Sequence, residues 1–302
     1  MTRLVVIACV AWLAGVPGAD AHPVPLTVGL FAPSAPFPST AARVELANQL
    51  GAWLGKALGA PGAGRVYARA ADFAAAVKRG EVTLALVDPT YLASITGSYT
   101  VIAVSLDTEA KGDRAWHLVA RAGANLAEVR GKRVLVPSLG GREADFVWNV
   151  LLGGDVGRDF FANIEAAPDT ASALAALGLG KADAVVVPVA GELPPGTAEL
   201  VRWPASRALP NPLLVAYKMS PDQCNALREA ARAFPGDATI TGFRDALPDA
   251  VASVARQLGP QVKRGPFLIP AARLVVGDLV EDRTFVIERT PATAFAIAPT
   301  TR

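Results

Sequence analysis

The chain has 302 residues, 52% of them hydrophobic, which sets it apart from disordered segments and is enough for one large or two medium lobes. Its 29 Lys and Arg nearly balance 27 Asp and Glu, and no dense basic cluster stands out, so nucleic acid and anionic membrane surfaces are excluded as main partners. Two cysteines, one of them in the leader described next, leave the folded part without a disulfide and dependent on its core.

Met1-Thr2-Arg3, the apolar stretch Leu4 to Leu13 and Ala19-Asp20-Ala21 read as a secretory signal peptide. Cleavage after Ala21 would start the mature periplasmic chain at His22. No later window reaches the ~20 apolar residues of a spanning helix, so no membrane insertion is expected after cleavage. Val6-Ile7-Ala8-Cys9 superficially matches a lipoprotein box, but cutting there leaves too short an apolar core, and lipidation of Cys9 stays open. His22, with no second histidine nearby in sequence, is not assigned a metal.

Pro25 to Pro33 predicts the first strand and Ser34 to Ser39 a loop. Thr40 is placed as the cap of a helix whose Leu46, Leu50, Trp53, Leu54 and Ala57 form a core-facing stripe. Val66 and Tyr67 suggest a second strand. An internal echo follows. Asp72 opens a helix with Phe73, Ala76 and Val77 inward, Gly80 ends it, and the buried strand Val82 to Val87 runs into Asp88-Pro89-Thr90-Tyr91. About a hundred residues later, Asp169 and Thr170 open a helix with Leu174 and Leu177 inward. Gly178 and Gly180 end it, and Lys181 to Val187, with Asp183 inside, makes a strand stopped by Pro188. Two copies of helix, glycine, strand and proline suggest two α/β lobes of like wiring, although any α/β protein alternates such elements.

Tyr99 to Leu106 and His117 to Ala122 read as strands that carry the chain between the lobes, and Asn211 to Tyr217 as the return. The organising stretch is Gly131 to Asp145: strand Val134-Leu135-Val136, a turn from Ser138 to Gly141, then a helix with Phe146, Val147, Val150 and Leu151 on one face. A helix starting where a strand has ended turns free N–H groups and its positive dipole end toward the sheet's carboxyl edge, so this stretch reads as one wall of a binding site. Ser220-Pro221-Asp222-Gln223 is a helix start with a capping box, and Cys224, Leu227, Ala231 and Phe234 then share one face, which makes Cys224 a buried thiol and not a nucleophile. Pro248 to Leu258 is one more helix. After Gln261, Phe267 to Ile269, Leu274 to Val276 and Thr284 to Ile287 read as strands of a C-terminal β-rich extension.

Taken together, the signal peptide, Asp72 through Tyr91, the strand after Gly131-Lys132-Arg133 with Ser138 behind it, and the second helix and strand at Asp183 resemble the periplasmic solute-binding proteins of the phosphonate and phosphite type. The resemblance spans roughly Leu26 to Leu258. It implies an α/β, two-lobed class II periplasmic-binding-protein-like fold with two crossing strands. Lobe 1 would take 22–105 and 211–260, lobe 2 106–210, and the extension 261–302. It also implies a small anionic or polar, phosphonate-like ligand handed to an ABC importer. A sensor kinase is the alternative partner, for a sensory or protein-binding module on the same fold.

Asp88, Thr90 and Tyr91 match the first-lobe strand exit that lines the cleft in that family, and Ser34 lies in the loop after the first strand. Ser138, Gly140 and Gly141 fall where family members carry a run of hydroxyls for phosphoryl oxygens. Only one hydroxyl is kept here, so backbone N–H groups of Gly140 and Gly141 would serve, with Arg142 either a contact or a solvated first-turn side chain. Asp183 completes the expected ligand-binding set. No nucleophile elbow, paired-His zinc motif or phosphate loop is present, and His117 beside Trp116 reads as structural, so the expectation is a monomeric non-enzyme without cofactor or metal.

Overall fold

Two separate sheets form, one for each half of the echo. The computed structural model describes residues 25–107, 115–153, 156–188, 193–203 and 209–259, with a short backbone ladder pairing 272–273 and 288–289. The leader, Cys9, the cut after Ala21, His22 and the three expected C-terminal strands lie outside the described residues.

In chain order the first sheet receives β1 (Leu26–Phe31), α1 (Thr40–Ala57), β2 (Gly62–Val66), α2 (Ala70–Arg79), β3 (Leu84–Val87), α3 (Pro89–Ser94) and β4 (Thr100–Asp107). The second receives β5 (Trp116–Arg121), β6 (Arg133–Pro137), α4 (Glu143–Asp145) continuing as a π-helical turn (Phe146–Leu151), β7 (Asn163–Ala167), α5 (Thr170–Gly178), β8 (Ala184–Pro188) and β9 (Thr197–Trp203). The chain returns to the first sheet with β10 (Leu213–Ala216), α6 (Pro221–Arg232) and β11 (Ile240–Arg244), then makes α7 (Ala250–Leu258).

The spatial orders are β2-β1-β3-β10-β4-β11 and β7-β6-β8-β5-β9. The first five strands of the former match the five of the latter in order, and β11 is an addition. β1 lies parallel between β2 and β3 as β6 lies parallel between β7 and β8, and an antiparallel strand from the other end of the lobe, β10 or β5, closes on the third. The strands expected to carry the chain between the lobes and back are β4, β5 and β10.

The inner strands β3, β8 and β10 are apolar runs because both faces of each sheet are covered there. In β3, Leu84 and Leu86 pack with Leu46, Leu50 and Leu227 under α1 and α6, whereas Ala85 and Val87 join Phe73, Tyr91 and Tyr217 under α2 and α3. The second lobe repeats this: Val134, Val136 and Val186 pack on Phe146 and Leu151, and Val185 and Val187 on Ala173 and Leu177 of α5. Cys224 is buried in the first cluster as a small apolar thiol. α1 lies unusually close to β2, because Gly51 and Gly55 face Gly62 and Gly64 and leave no space for a Cβ between the backbones.

Several local expectations change. Ser39, not Thr40, caps α1: its backbone is extended and its Oγ accepts from Ala42 N at 3.2 Å, while Thr40 is already helical. Asp169 caps α5 as expected, and Ser220 with Gln223 forms the capping box. β7 and β11 had not been expected. Asn-Ile-Glu-Ala-Ala has little intrinsic strand preference and pairs because β6 offers it a parallel edge, and β11 is an edge strand broken by an irregularity between Ile240 and Gly242. α7 touches both lobes: Val251 packs against the first-lobe cluster and Val254 and Leu258 belong to the second-lobe one.

Candidate ligand-binding site

Loops leaving the carboxyl ends of β1, β3 and β6 meet between the lobes, and this strand polarity decides which predicted residues come together. Ser34 follows β1. Its N–H donates to Asp88 Oδ2 at 2.9 Å and its Oγ to Asp88 Oδ1 at 2.5 Å, with Asp88 fully buried just past β3. Pro89 at the first position of α3 lets the chain turn helical at once, which carries Thr90 and Tyr91 inward. Tyr91 packs edge-on against Phe31 and Phe73 at ring separations of 5.1 and 5.6 Å, and burial raises its phenol pKa.

In the second lobe, Ser138 N donates to Ala167 O at 2.8 Å. Gly140 is left-handed (φ 76°), a conformation that favours glycine, and a Cβ there would stand a tight 3.1 Å from the Tyr91 ring across the lobes. Two N–H groups of the turn, those of Leu139 and Gly141, are taken up inside the chain. Buried Glu143 turns its carboxylate back into the loop, where Oε1 accepts from Leu139 N at 2.7 Å and Gly141 N at 3.2 Å. The chain thus sets a carboxyl group of its own where an oxyanion had been expected, and Gly141 N is already paired with it.

Arg142, expected as either a contact or a solvated side chain, is also paired within the chain. Its Nε donates to Asp145 Oδ2 at 2.7 Å and its Nη2 to Leu258 O at 3.2 Å, so the side chain pins its own helix to the end of α7. Asp183 stands before β8, on the opposite edge of the sheet from Ser138, and accepts from Arg133 N at 3.2 Å. A residue on the amino side of a strand cannot reach a cleft built on the carboxyl side. His117 pairs through Nδ1 with Glu199 at 2.6 Å, a structural contact between β5 and β9. Among the described residues no group of three His, Cys, Asp or Glu side chains could hold a metal ion.

Ser34 and Thr90 from the first lobe and Trp116 and Leu139 from the second line one interlobe cavity, together with Asn211 on the return crossing. Its volume is about 10 Å³, room for roughly one water-sized guest. Thr90 Oγ1 and Asn211 Oδ1 are buried there without a hydrogen-bond partner. The lobes are closed: Thr170 N donates to Pro33 O at 3.3 Å, and Arg43 in α1 meets Asp169 at the start of α5 at 2.8 Å. Sequence reasoning missed Trp116, Asn211, Glu143 and Arg43 as site residues. Asn211 lay in the segment already read as the return and Trp116 just ahead of the strand His117 to Ala122, both of which border the cleft in this wiring. The others looked like first-turn helix charges.

This architecture recurs in solved structures. A binding protein component of an ABC phosphonate transporter from Pseudomonas aeruginosa matches with a TM-score of 0.61 at 13% identity, over 78% of this chain and 85% of its own. PhnD1 from Prochlorococcus marinus, in complex with methylphosphonate, matches at 0.59 and 12%, over 77% and 96%. The chain has the two-lobed periplasmic-binding-protein fold. The alkanesulfonate-binding protein SsuA from Xanthomonas axonopodis pv. citri, bound to MOPS, shares it at 0.51 and 12%, over 80% and 96%. No family model matches the chain, and no curated protein matches its sequence. At such identities the likeness to this periplasmic-binding-protein group is one of fold.

Proposed function

We propose that the chain is an exported, non-enzymatic solute-binding protein that closes its lobes over a small polar ligand and presents it to an ABC importer. The reading rests on the cavity: both lobes contribute to it, and two of its lining residues carry buried polar atoms, Thr90 Oγ1 and Asn211 Oδ1, that have no partner in the protein. Such atoms are costly to bury unless a guest pairs with them. At about 10 Å³ the closed cavity is smaller than any metabolite, so the lobes must stand further apart than they do here when a ligand lies between them. Among the described residues no helix is long and apolar enough to cross a membrane, which fits export through the leader.

The test is thermal unfolding of the purified chain against phosphonates, phosphate, sulfonates, amino acids and uncharged polyols. A ligand at about 100 times its Kd adds about 2.7 kcal/mol, a shift of a few degrees. No shift with any of them would sink the proposal. Thr90→Val with Ser138→Ala should weaken whichever ligand is found, and unchanged affinity would move the cleft elsewhere.

A sensory or protein-binding module on the same fold is the second reading. The chain continues for 43 residues past Gly259, while the similar phosphonate-binding component covers 78% of it. Co-purification with an importer's permease and ATPase, or with a sensor kinase, separates the two.

A further inference from the structure

Two hollows far larger than the interlobe cavity open on the first lobe alone. Their volumes are about 340 and 400 Å³ against about 10 Å³ between the lobes, which puts both, and not the cavity, in the range of roughly 300–1,000 Å³ that small-molecule sites occupy. They share Tyr217 and Lys218. Both residues follow β10, which runs antiparallel to β3, and Tyr217 N donates to Thr83 O at 2.8 Å. The hollows therefore border the edge of the sheet where β3 begins, opposite the strand exit at Asp88 from which the cleft is built. No described residue of the second lobe lines either one.

The larger hollow has a one-sided chemistry. Tyr91, Tyr99 and Tyr217 line it, the rings of the last two meeting edge to face at 6.5 Å. Its charged lining residues are both cations, Lys78 in the last turn of α2 and Lys218, and no Asp or Glu stands among its described lining residues. Lys218 also holds an unfavoured backbone: at φ 55° it is alone among the described non-glycine residues in the left-handed region. The chain fixes it from both sides, through the Tyr217–Thr83 bond before it and the capping box of Ser220 and Gln223 after it. Glycine would sit there without strain, so a lysine held against its backbone preference points to a use for the side chain. Tyr217, only 7% exposed, adds a hydroxyl that is buried without a hydrogen-bond partner, a polar group in the wall that the fold itself does not use.

We propose that the larger hollow is a second binding site, separate from the cleft, for small aromatic carboxylates: the aryl ring lies against the tyrosines and the carboxylate faces the ammonium groups of Lys78 and Lys218. Two exposed lysines attract an anion only modestly, so most of the affinity comes from burying the ring, and charge decides which guest is taken. The neighbouring hollow beyond Tyr217 and Lys218 leaves room for larger substituents on the ring. Because the site is built from the first lobe, it does not depend on the lobes closing or on the solute-binding reading.

The experiment is calorimetric titration and ligand-observed NMR of the full chain with four probes: 3-phenylpropionate, the matching neutral 3-phenylpropanol, the matching cation 3-phenylpropylamine, and butyrate, an anion without a ring. The expected result is that 3-phenylpropionate binds about fivefold or more tightly than the alcohol, and that the amine and butyrate bind more weakly still. Lys218→Gly should keep or raise the melting temperature and yet weaken 3-phenylpropionate about fivefold. Ala74→Trp, at an exposed position of α2 on the rim, should abolish binding by filling the hollow. Should either variant fail to fold, Lys78→Glu with Lys218→Glu supplies the answer by turning the preference to the amine. Alcohol or amine binding as tightly as the acid, butyrate binding as tightly as 3-phenylpropionate, affinity indifferent to Lys218→Gly and Ala74→Trp, a preference unmoved by the double charge reversal, or binding of none of the four would each overturn the site. Each would leave the interlobe reading standing.

Discussion

Ser34 donates twice to the buried carboxylate of Asp88, at 2.9 and 2.5 Å, and so ties the exit of β1 to the exit of β3. Asp88→Ala strands both donors inside the protein and should lower stability by about 2–4 kcal/mol, since each buried unpaired donor costs roughly 1–3 kcal/mol. Asp88→Asn keeps an acceptor and should lose less. Urea unfolding measures both, and a midpoint that does not move in Asp88→Ala would mean the pair is incidental.

Glu143 is the matching tie in the second lobe, reaching back to Leu139 N and Gly141 N. Glu143→Ala should cost about 1–3 kcal/mol, and Glu143→Gln, which still offers an oxygen, should recover most of it. If the two variants unfold at one midpoint, the carboxylate is not what orders the turn.

The seam between α1 and β2 tolerates no side chain. A Cβ on Gly64 would collide with the backbone of Ala47, and one on Gly62 with the backbone of Gly51. Backbone has nowhere to yield, so Gly64→Ala should destabilise by more than about 3 kcal/mol, the range of the severest core changes. Gly178→Ala, at a helix end with open space, is the control and should be nearly silent.

Tyr217 supplies a pH signature. Burial, with the nearby phenols of Tyr91 and Tyr99, holds its pKa far above the ordinary 10.0. The neutral phenol's stabilising effect is complete below that ordinary value and is lost as pH rises past it, because the unfolded chain then gives up its proton first. Tyr217→Phe should therefore flatten the alkaline limb of a stability-versus-pH curve. At pH 7 it should be neutral or stabilising by up to about 1 kcal/mol, since the hydroxyl is buried without a partner. An unchanged limb above pH 10 would assign the alkaline transition to other groups.

Much of the wiring was legible because it is written in short-range chemistry. The repeated helix, glycine and apolar strand around Val87 and Val187, and the box at Ser220 and Gln223, each need only a few neighbouring residues to be recognised. What escaped depends on partners far along the chain. Asn163 to Ala167 becomes a strand only beside β6, and Asp183 and Ser138 looked equally suited to a ligand until strand direction put them on opposite edges. Glu143 and Arg43 both resemble ordinary first-turn charges, and only the folded geometry turns one into an internal anion and leaves the other half-coordinated.

α7 is fastened unevenly. Its last carbonyl, at Leu258, receives Arg142 and Asn149 from the second lobe, while toward its start Val251 meets the first only through apolar contact. Bonds of direction hold one end and surfaces that can slide hold the other. When the halves swing apart this helix should travel with the second as a latch bolt does with its door, and its smooth end at Val251 should slide free once the Thr170–Pro33 and Arg43–Asp169 contacts have parted.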